Sequence, residues 1–262
     1  MKKILQKVYG FLRFLGFDAK VFIRNIKGLR FYIEDFQELK KQKGDDKNFY
    51  FGKTHPILNE RFEEAGKMSG HYFHQDLLVA RKIFENKPLR HIDIGSRTDG
   101  FVAHLAAFRK VEIIDIRDIE SNVKNISFRK ADLMKLPDDL IDSCDSISSL
   151  HVIEHMGLGR YGDPIDYNGH LKAINNITRI LKKGGIFYFS TPIGSQRIEF
   201  NAHRVFSVSY LLEIFHPNYT IRSFSYVDDS GRLFENVELK KENVENNFDC
   251  YYGCGIFELI KN

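Results

Sequence analysis

The 262-residue chain has no tryptophan and only three cysteines, Cys144, Cys250 and Cys254. Three cysteines cannot build a disulfide framework, and Cys250 and Cys254 lack the Cys-x-x-Cys spacing of a zinc ribbon. A reducing, cytoplasmic setting is therefore expected. No apolar run is long enough to span a bilayer. The opening "MKKILQKVYGFLRFLGF" starts like a signal peptide, but Gln6, Lys7, Tyr9, Gly10 and Arg13 interrupt it and no small-residue cleavage site follows. Internal repeats and low-complexity tracts are missing. So are the Gly-x-Gly-x-x-Gly dinucleotide fingerprint and the phosphate-cradling P-loop.

What the chain does have is uneven charge. Residues 1–43 hold 11 Lys or Arg against 4 Asp or Glu, while the rest holds 28 against 31. The basic surplus belongs to an N-terminal arm, expected over 1–48 and ending in the charged linker "KKQKGDDKN" (40–48). In this arm Ile4, Leu5, Val8, Phe11, Leu12 and Leu15 recur at helical spacing. Packing on its own domain or self-association is the plain reading of that face, and peripheral contact with an anionic membrane the sharper one. Residues 49–88 read as a lid or cover segment, with a helix over 75–86. The slightly acidic body argues against a nucleic-acid partner.

From residue 89 strands and helices alternate. Strands are expected at "LRHIDIG" (89–95), "VEIIDI" (111–116), "ISFRKADL" (126–133), "DSISSLHVI" (145–153), "IFYFSTP" (186–192), "YTIRSFSYV" (219–227) and "GIFELIK" (255–261). Helices fall at 101–108, 170–181 and 207–215, the second closed by Lys182-Lys183-Gly184-Gly185. The pattern predicts a Rossmann-like α/β domain over 89–262: a mostly parallel, seven-stranded sheet with helices on both faces. Ligands of such sheets bind beyond the carboxyl ends of the strands, where strand order reverses.

Several groups fall at those ends. Gly95 closes the first strand and permits a tight turn before Ser96 and Arg97. Asp115 lies twenty residues further on, near the end of the second strand, where a carboxylate can accept from both ribose hydroxyls. Together they point to a nucleoside-containing cofactor. Ile116 offers apolar area to adenine, and Asp132, beside Leu133, can accept from its amino group. Each has a plainer alternative: a strand-to-helix turn for the loop, a strand-end cap for Asp115, a helix N-cap for Asp132. Asp93 reads as a partner for a cofactor ammonium group or as a satisfied strand-end carboxylate.

The order "DIGSRTDGFVAHL", the acid at 115, "ADL", "SLHVIEHMGLGRYGDPID" and "RILKKGGIFYFSTPIG" resembles the class I S-adenosylmethionine-dependent methyltransferases over roughly residues 89–195. With "IEFNAHRVFS", these stretches are also similar to a bacterial family, a domain of unknown function, associated with surface-glycan gene clusters. The resemblance implies S-adenosylmethionine as cofactor, held by Asp93, Gly95, Ser96, Arg97, Asp115, Ile116, Asp132, Leu133 and His151. It also implies a sugar or glycan-precursor oxygen as acceptor.

If the acceptor is a hydroxyl, a general base is expected, with Asp163 and His203 ahead of His155. An anionic, phosphate-like acceptor needs none. Arg160 and Arg204 suit an anion, and Tyr161 and His170 stand near them. Tyr72 and His74, in "GHYFHQD", read as lid residues over the acceptor. His71, His74 and Asp76 have loose spacing and no second cluster, so no metal is expected.

Overall fold

A computed structural model describes residues 2–120, 122–135 and 138–262, without the side chains of residues 2–7. The chain divides into two compact units, 1–67 and 68–262, a division that falls inside the 49–88 stretch.

The first unit is helical. α1 (Lys2–Phe14) and α2 (Ala19–Lys43) are separated by Asp18, whose carboxylate caps α2 by accepting from Lys20 N at 2.8 Å. The linker expected over 40–48 begins inside α2. Lys40, Lys41 and Lys43 occupy its last turn, where cations favour the helix dipole, and Gly44 ends it. Of the apolar face expected on α1, Val8, Phe11, Leu12 and Leu15 are exposed; the side chains of Ile4 and Leu5 lie outside the described residues. No helix among the described residues is long and apolar enough to cross a membrane.

The second unit opens with α3 (His71–Asn86) and then alternates. Its strands are β1 (His91–Ile94), β2 (Val111–Asp115), β3 (Ile126–Lys130), β4 (Cys144–Leu150), β5 (Leu181–Ile193), β6 (Arg197–Glu199), β7 (His203–Val205), β8 (Tyr219–Val227), β9 (Leu233–Phe234) and β10 (Gly253–Lys261). Its other helices are α4 (Ala103–Ala106), α5 (Gly169–Ile180), α6 (Val208–Phe215) and α7 (Lys241–Glu245).

The sheet corrects the expected one. It has eight strands, in the order β3-β2-β1-β4-β5-β10-β8-β9, and β10 pairs antiparallel with both β5 and β8. The eighth strand, β9, is two residues at the end of a short return from β8, too brief to leave a periodic signal. β6 and β7 form a separate hairpin. The "KKGG" after α5 is not a loop. It lies within β5 as an irregularity, between the pairings Cys144↔Leu181 and Ser146↔Ile186.

Strand alternation puts hydrophobics on both faces. Ile92, Ile94, Ile114, Phe187 and Phe189 join α5 and α6 in one core cluster. Val111, Ile113 and Tyr188 join α3 and α4 in the other. Strand order reverses between β1 and β4, so the cleft is expected beyond the ends of these two strands.

Candidate functional site

The loop after β1 is fastened from below. Asp93 is fully buried; its carboxylate accepts from Ser96 N at 3.0 Å, Ser96 Oγ at 2.7 Å and Ser148 Oγ at 2.6 Å. Burial pushes this carboxyl up to about 6, against the pull of those hydrogen bonds. His91 continues the ladder to Ser146 and Ser148 of β4. Asp93 therefore does not reach the cleft as a cofactor contact. It fixes the loop, because its buried carboxylate is turned onto three donors of the chain itself. The Ser96 hydroxyl is turned the same way and accepts from Leu150 N at 3.1 Å.

Above the loop lies a cleft of about 650 Å³, lined among others by Tyr72, Gly95, Ser96, Arg97, Asp115, His151, His155, Arg160, Tyr161 and His203. An apolar recess of about 70 Å³ adjoins it, bordered by Ile116, Asp132, Leu133 and Asp163. Most of these residues follow the ends of β1, β2, β3 and β4, while Tyr72 lies in α3 and His203 opens β7. Gly95 sits at φ +64°, and a Cβ there would stand 3.0 Å from Val152 Cγ1.

Asp115 faces both spaces. Its Oδ1 accepts from Arg117 N at 2.8 Å and Nε at 3.0 Å, and its Oδ2 from the same guanidinium at 2.8 Å. The Arg117 side chain is half exposed and lies over the Tyr161 ring, so its two-pronged pair with the buried Asp115 must open before both carboxylate oxygens can face a ligand.

The segment after β4 folds back on itself. His151 holds φ +55°, which turns the chain out of the sheet. Glu154 is fully buried; its Oε1 accepts from His151 Nδ1 at 2.7 Å and lies 3.8 Å from His155 Nε2. Burial raises the Glu154 carboxyl, but the His151 charge and hydrogen bond outweigh it and leave it below the usual range. His155 Nδ1 donates to Ala202 O at 2.7 Å, which fixes the tautomer and leaves Nε2 as an acceptor. Burial holds the pKa of His155 below 6.5. His203 Nε2 lies 3.3 Å from Glu199 Oε2.

Four expectations are corrected here. Asp163 is not free to act as a base: Oδ2 accepts from Gly157 N at 2.8 Å and Gly159 N at 3.3 Å, and Oδ1 from Tyr161 N at 3.2 Å. Arg204 donates to the carbonyls of Met156 at 2.6 Å and Tyr167 at 3.0 Å, stapling the same loop. His170, bonded to Tyr210 Oη at 2.8 Å, shares a separate cavity with Arg204. His74 does not line the cleft; its ring packs edge-on against Phe73. Asp163 and Arg204 are committed to the chain's own backbone, His170 to the Tyr210 hydroxyl through one nitrogen, and His74 lies away from the cleft.

Arg117 and Tyr252 are among the cleft residues that were not anticipated. Arg117 stands two residues past Asp115, a proximity that could have signalled it. Tyr252 arrives from just before β10, and nothing local marks it.

Solved structures with similar folds include a [4+2]-cyclase, SpnF, with a TM-score of 0.52 at 16% identity, covering 72% of this chain and 80% of that one. Another is the 1,6-didemethyltoxoflavin-N1-methyltransferase of Burkholderia thailandensis with bound S-adenosylhomocysteine, with a TM-score of 0.51 at 12% identity, covering 72% and 78%. At these identities they establish the fold, a mixed, Rossmann-like sheet of the methyltransferase type. A comparison with curated proteins found no match. A family model covers residues 105–250, more than half of the chain, and its description names Caenorhabditis rather than the bacterial glycan-associated family expected from the motifs. The chain thus belongs to the family described as "Caenorhabditis protein of unknown function, DUF268".

Proposed function

We propose that the cleft binds S-adenosylmethionine and transfers its methyl group to an oxygen of a sugar, a glycan precursor or a similar small polar acceptor. The observation that carries this reading is Asp115, facing the cleft at the end of β2 beside the glycine turn of β1. The residues fit the cofactor. Gly95 leaves a cradle that a Cβ would fill. Asp115 Oδ2 retains a lone pair for a ribose hydroxyl, and Oδ1 gains one when Arg117 moves aside. Ile116 and Leu133 offer apolar area to an adenine ring, and Asp132 an acceptor for its amino group. Arg97 suits the cofactor's carboxylate.

When bound, the sulfonium supplies an already activated methyl carbon. The chain's part is then alignment and exclusion of water, which can account for about 7–11 kcal/mol of barrier. His155 is the residue best suited to take the acceptor's hydroxyl proton, since Nδ1 is anchored and Nε2 is the basic atom. His155 Nε2 would hold that proton as an imidazolium, 3.8 Å from the buried Glu154 carboxylate. Asp163 and Arg204 act as positioning residues that hold the loop on which His155 and Tyr161 sit.

A second reading has one observation in its favour. Arg160 lines the cleft and, among the described residues, forms no ion pair with a carboxylate; it donates to Ala202 O at 2.9 Å. With Arg97 and Arg117 nearby, an anionic acceptor methylated without a base is the alternative. The cyclase on the same fold is a reminder that the fold alone does not specify methyl transfer. The test is incubation with methyl-labelled cofactor and a panel of nucleotide-linked sugars, free sugars and phosphorylated precursors. Label on a hydroxyl oxygen supports the first reading and label on an anionic oxygen the second. Label on nitrogen or carbon contradicts both.

A further inference from the structure

Beside the cleft, three distant parts of the chain bring metal-ligating atoms together. His71 opens α3, His151 follows β4 and Cys254 lies in β10. One ring nitrogen of each histidine and the Cys254 sulfur all stand within 4.8 Å of one another. His151 Nδ1 is engaged by Glu154, so Nε2 is the nitrogen left for the other two. That atom is buried, on a side chain only 4% exposed, and its neighbour is the Cys254 sulfur rather than an oxygen or nitrogen partner. Leaving a buried nitrogen without a partner is destabilising. A bound cation would remove that cost.

We propose that His71, His151 and Cys254 bind a zinc ion. One sulfur and two imidazoles form a soft, borderline donor set that suits zinc and disfavours magnesium and calcium, which want oxygen. The outer partners of a metal site are also in place. Glu154 orients His151 through its second nitrogen, as carboxylates do behind zinc-bound histidines. Thr191 Oγ1 in turn lies 3.5 Å from Glu154 Oε2. Gln75 Oε1 accepts from Ser190 Oγ at 2.6 Å and, in the metal-free thiol, from Cys254 Sγ at 3.7 Å, a bond given up when the thiolate forms.

Binding releases the Cys254 thiol proton to solvent, and the thiolate takes its place on the ion. Zinc bonds of about 2.0–2.3 Å put tetrahedral ligand atoms roughly 3.3–3.7 Å apart, so three atoms that lie within 4.8 Å of one another need close by no more than about 1.5 Å. Three protein ligands leave a fourth position open. His151 and Tyr252 border the cleft, so the ion stands at its margin. This site goes beyond the methyl-transfer reading and does not depend on it.

The test uses the full chain, loaded with excess zinc and then freed of unbound metal. One zinc per chain is expected by elemental analysis. Cobalt in its place is expected to give the strong visible bands of a tetrahedral ion and a thiolate-to-cobalt charge-transfer band. Cys254→Ser is expected to abolish the charge-transfer band, whereas Cys250→Ser keeps it. A wild-type chain that holds well under one zinc, or a cobalt spectrum without the thiolate band, overturns the proposal even if no variant folds. So does full zinc retention by a natively folded His71→Ala, Cys254→Ser double variant.

Discussion

Replacing Asp163 separates a loop organiser from a general base. Its carboxylate accepts three backbone N–H groups, at 2.8, 3.3 and 3.2 Å. The short, charge-assisted bond contributes about 1.5–3 kcal/mol and the two longer ones roughly 0.5–1 kcal/mol each. Water can reach part of the segment once the side chain is gone, so Asp163→Ala is expected to lose about 2–4 kcal/mol. For a domain of this size that lowers the melting temperature by roughly 2–4 °C per kcal/mol. Asp163→Asn keeps one acceptor oxygen. Turned toward Gly157 and Gly159, it loses only the Tyr161 bond and is expected to cost about half as much or less. Circular dichroism melts of the three proteins measure this, with cofactor binding and turnover alongside. The organiser role predicts that stability, binding and turnover fall together in Ala and recover substantially in Asn. If both variants melt like wild type, bind cofactor normally and lose turnover equally, Asp163 is the base and the assignment to His155 is wrong.

Asp93 and His155 give two pH predictions. Burial raises the Asp93 carboxyl from 3.8 to about 6 in the folded chain, so its contribution is intact below pH 3.8 and is lost as pH rises through 6. Asp93→Asn should therefore gain on wild type by about 2.4 kcal/mol between pH 4 and pH 7 in urea unfolding, and a difference that stays flat contradicts the buried-carboxylate account. For His155, burial holds the pKa below 6.5, so turnover on a hydroxyl acceptor should fall with acid only below that value. His155→Asn should lower kcat by about 10²–10⁴-fold and remove that limb; a limb that persists in the variant assigns the proton to another group.

Much of the sheet was legible because its core strands are short apolar runs bounded by glycine, proline or charge. Residues 111–115, 126–130 and 219–227 fall where periodicity placed them. β9 was not legible, because two residues carry no period. The direction of β10 depends on which edge it joins, and its own residues do not encode that. The position of Gly95 and Asp115 at the cleft was readable because backbone geometry and strand ends constrain residue type. Asp163 and Arg204 were misread for a physical reason. A carboxylate or guanidinium committed to backbone groups has the same sequence signature as one facing a ligand. His71, His151 and Cys254 meet only after β10 enters the sheet, so no spacing along the chain announces them.

The central claim is that Asp115 holds the ribose of an adenosyl cofactor. Titration calorimetry with S-adenosylhomocysteine tests it most directly, on the wild-type chain and on Asp115→Ala. Two hydrogen bonds to a charged acceptor, less what Arg117 already draws from it, amount to about 3 kcal/mol, or roughly 100-fold in Kd. One site in the wild type, weakened by about that factor in the variant, is the result expected. No heat with the wild type, or equal affinity in both proteins, would contradict it.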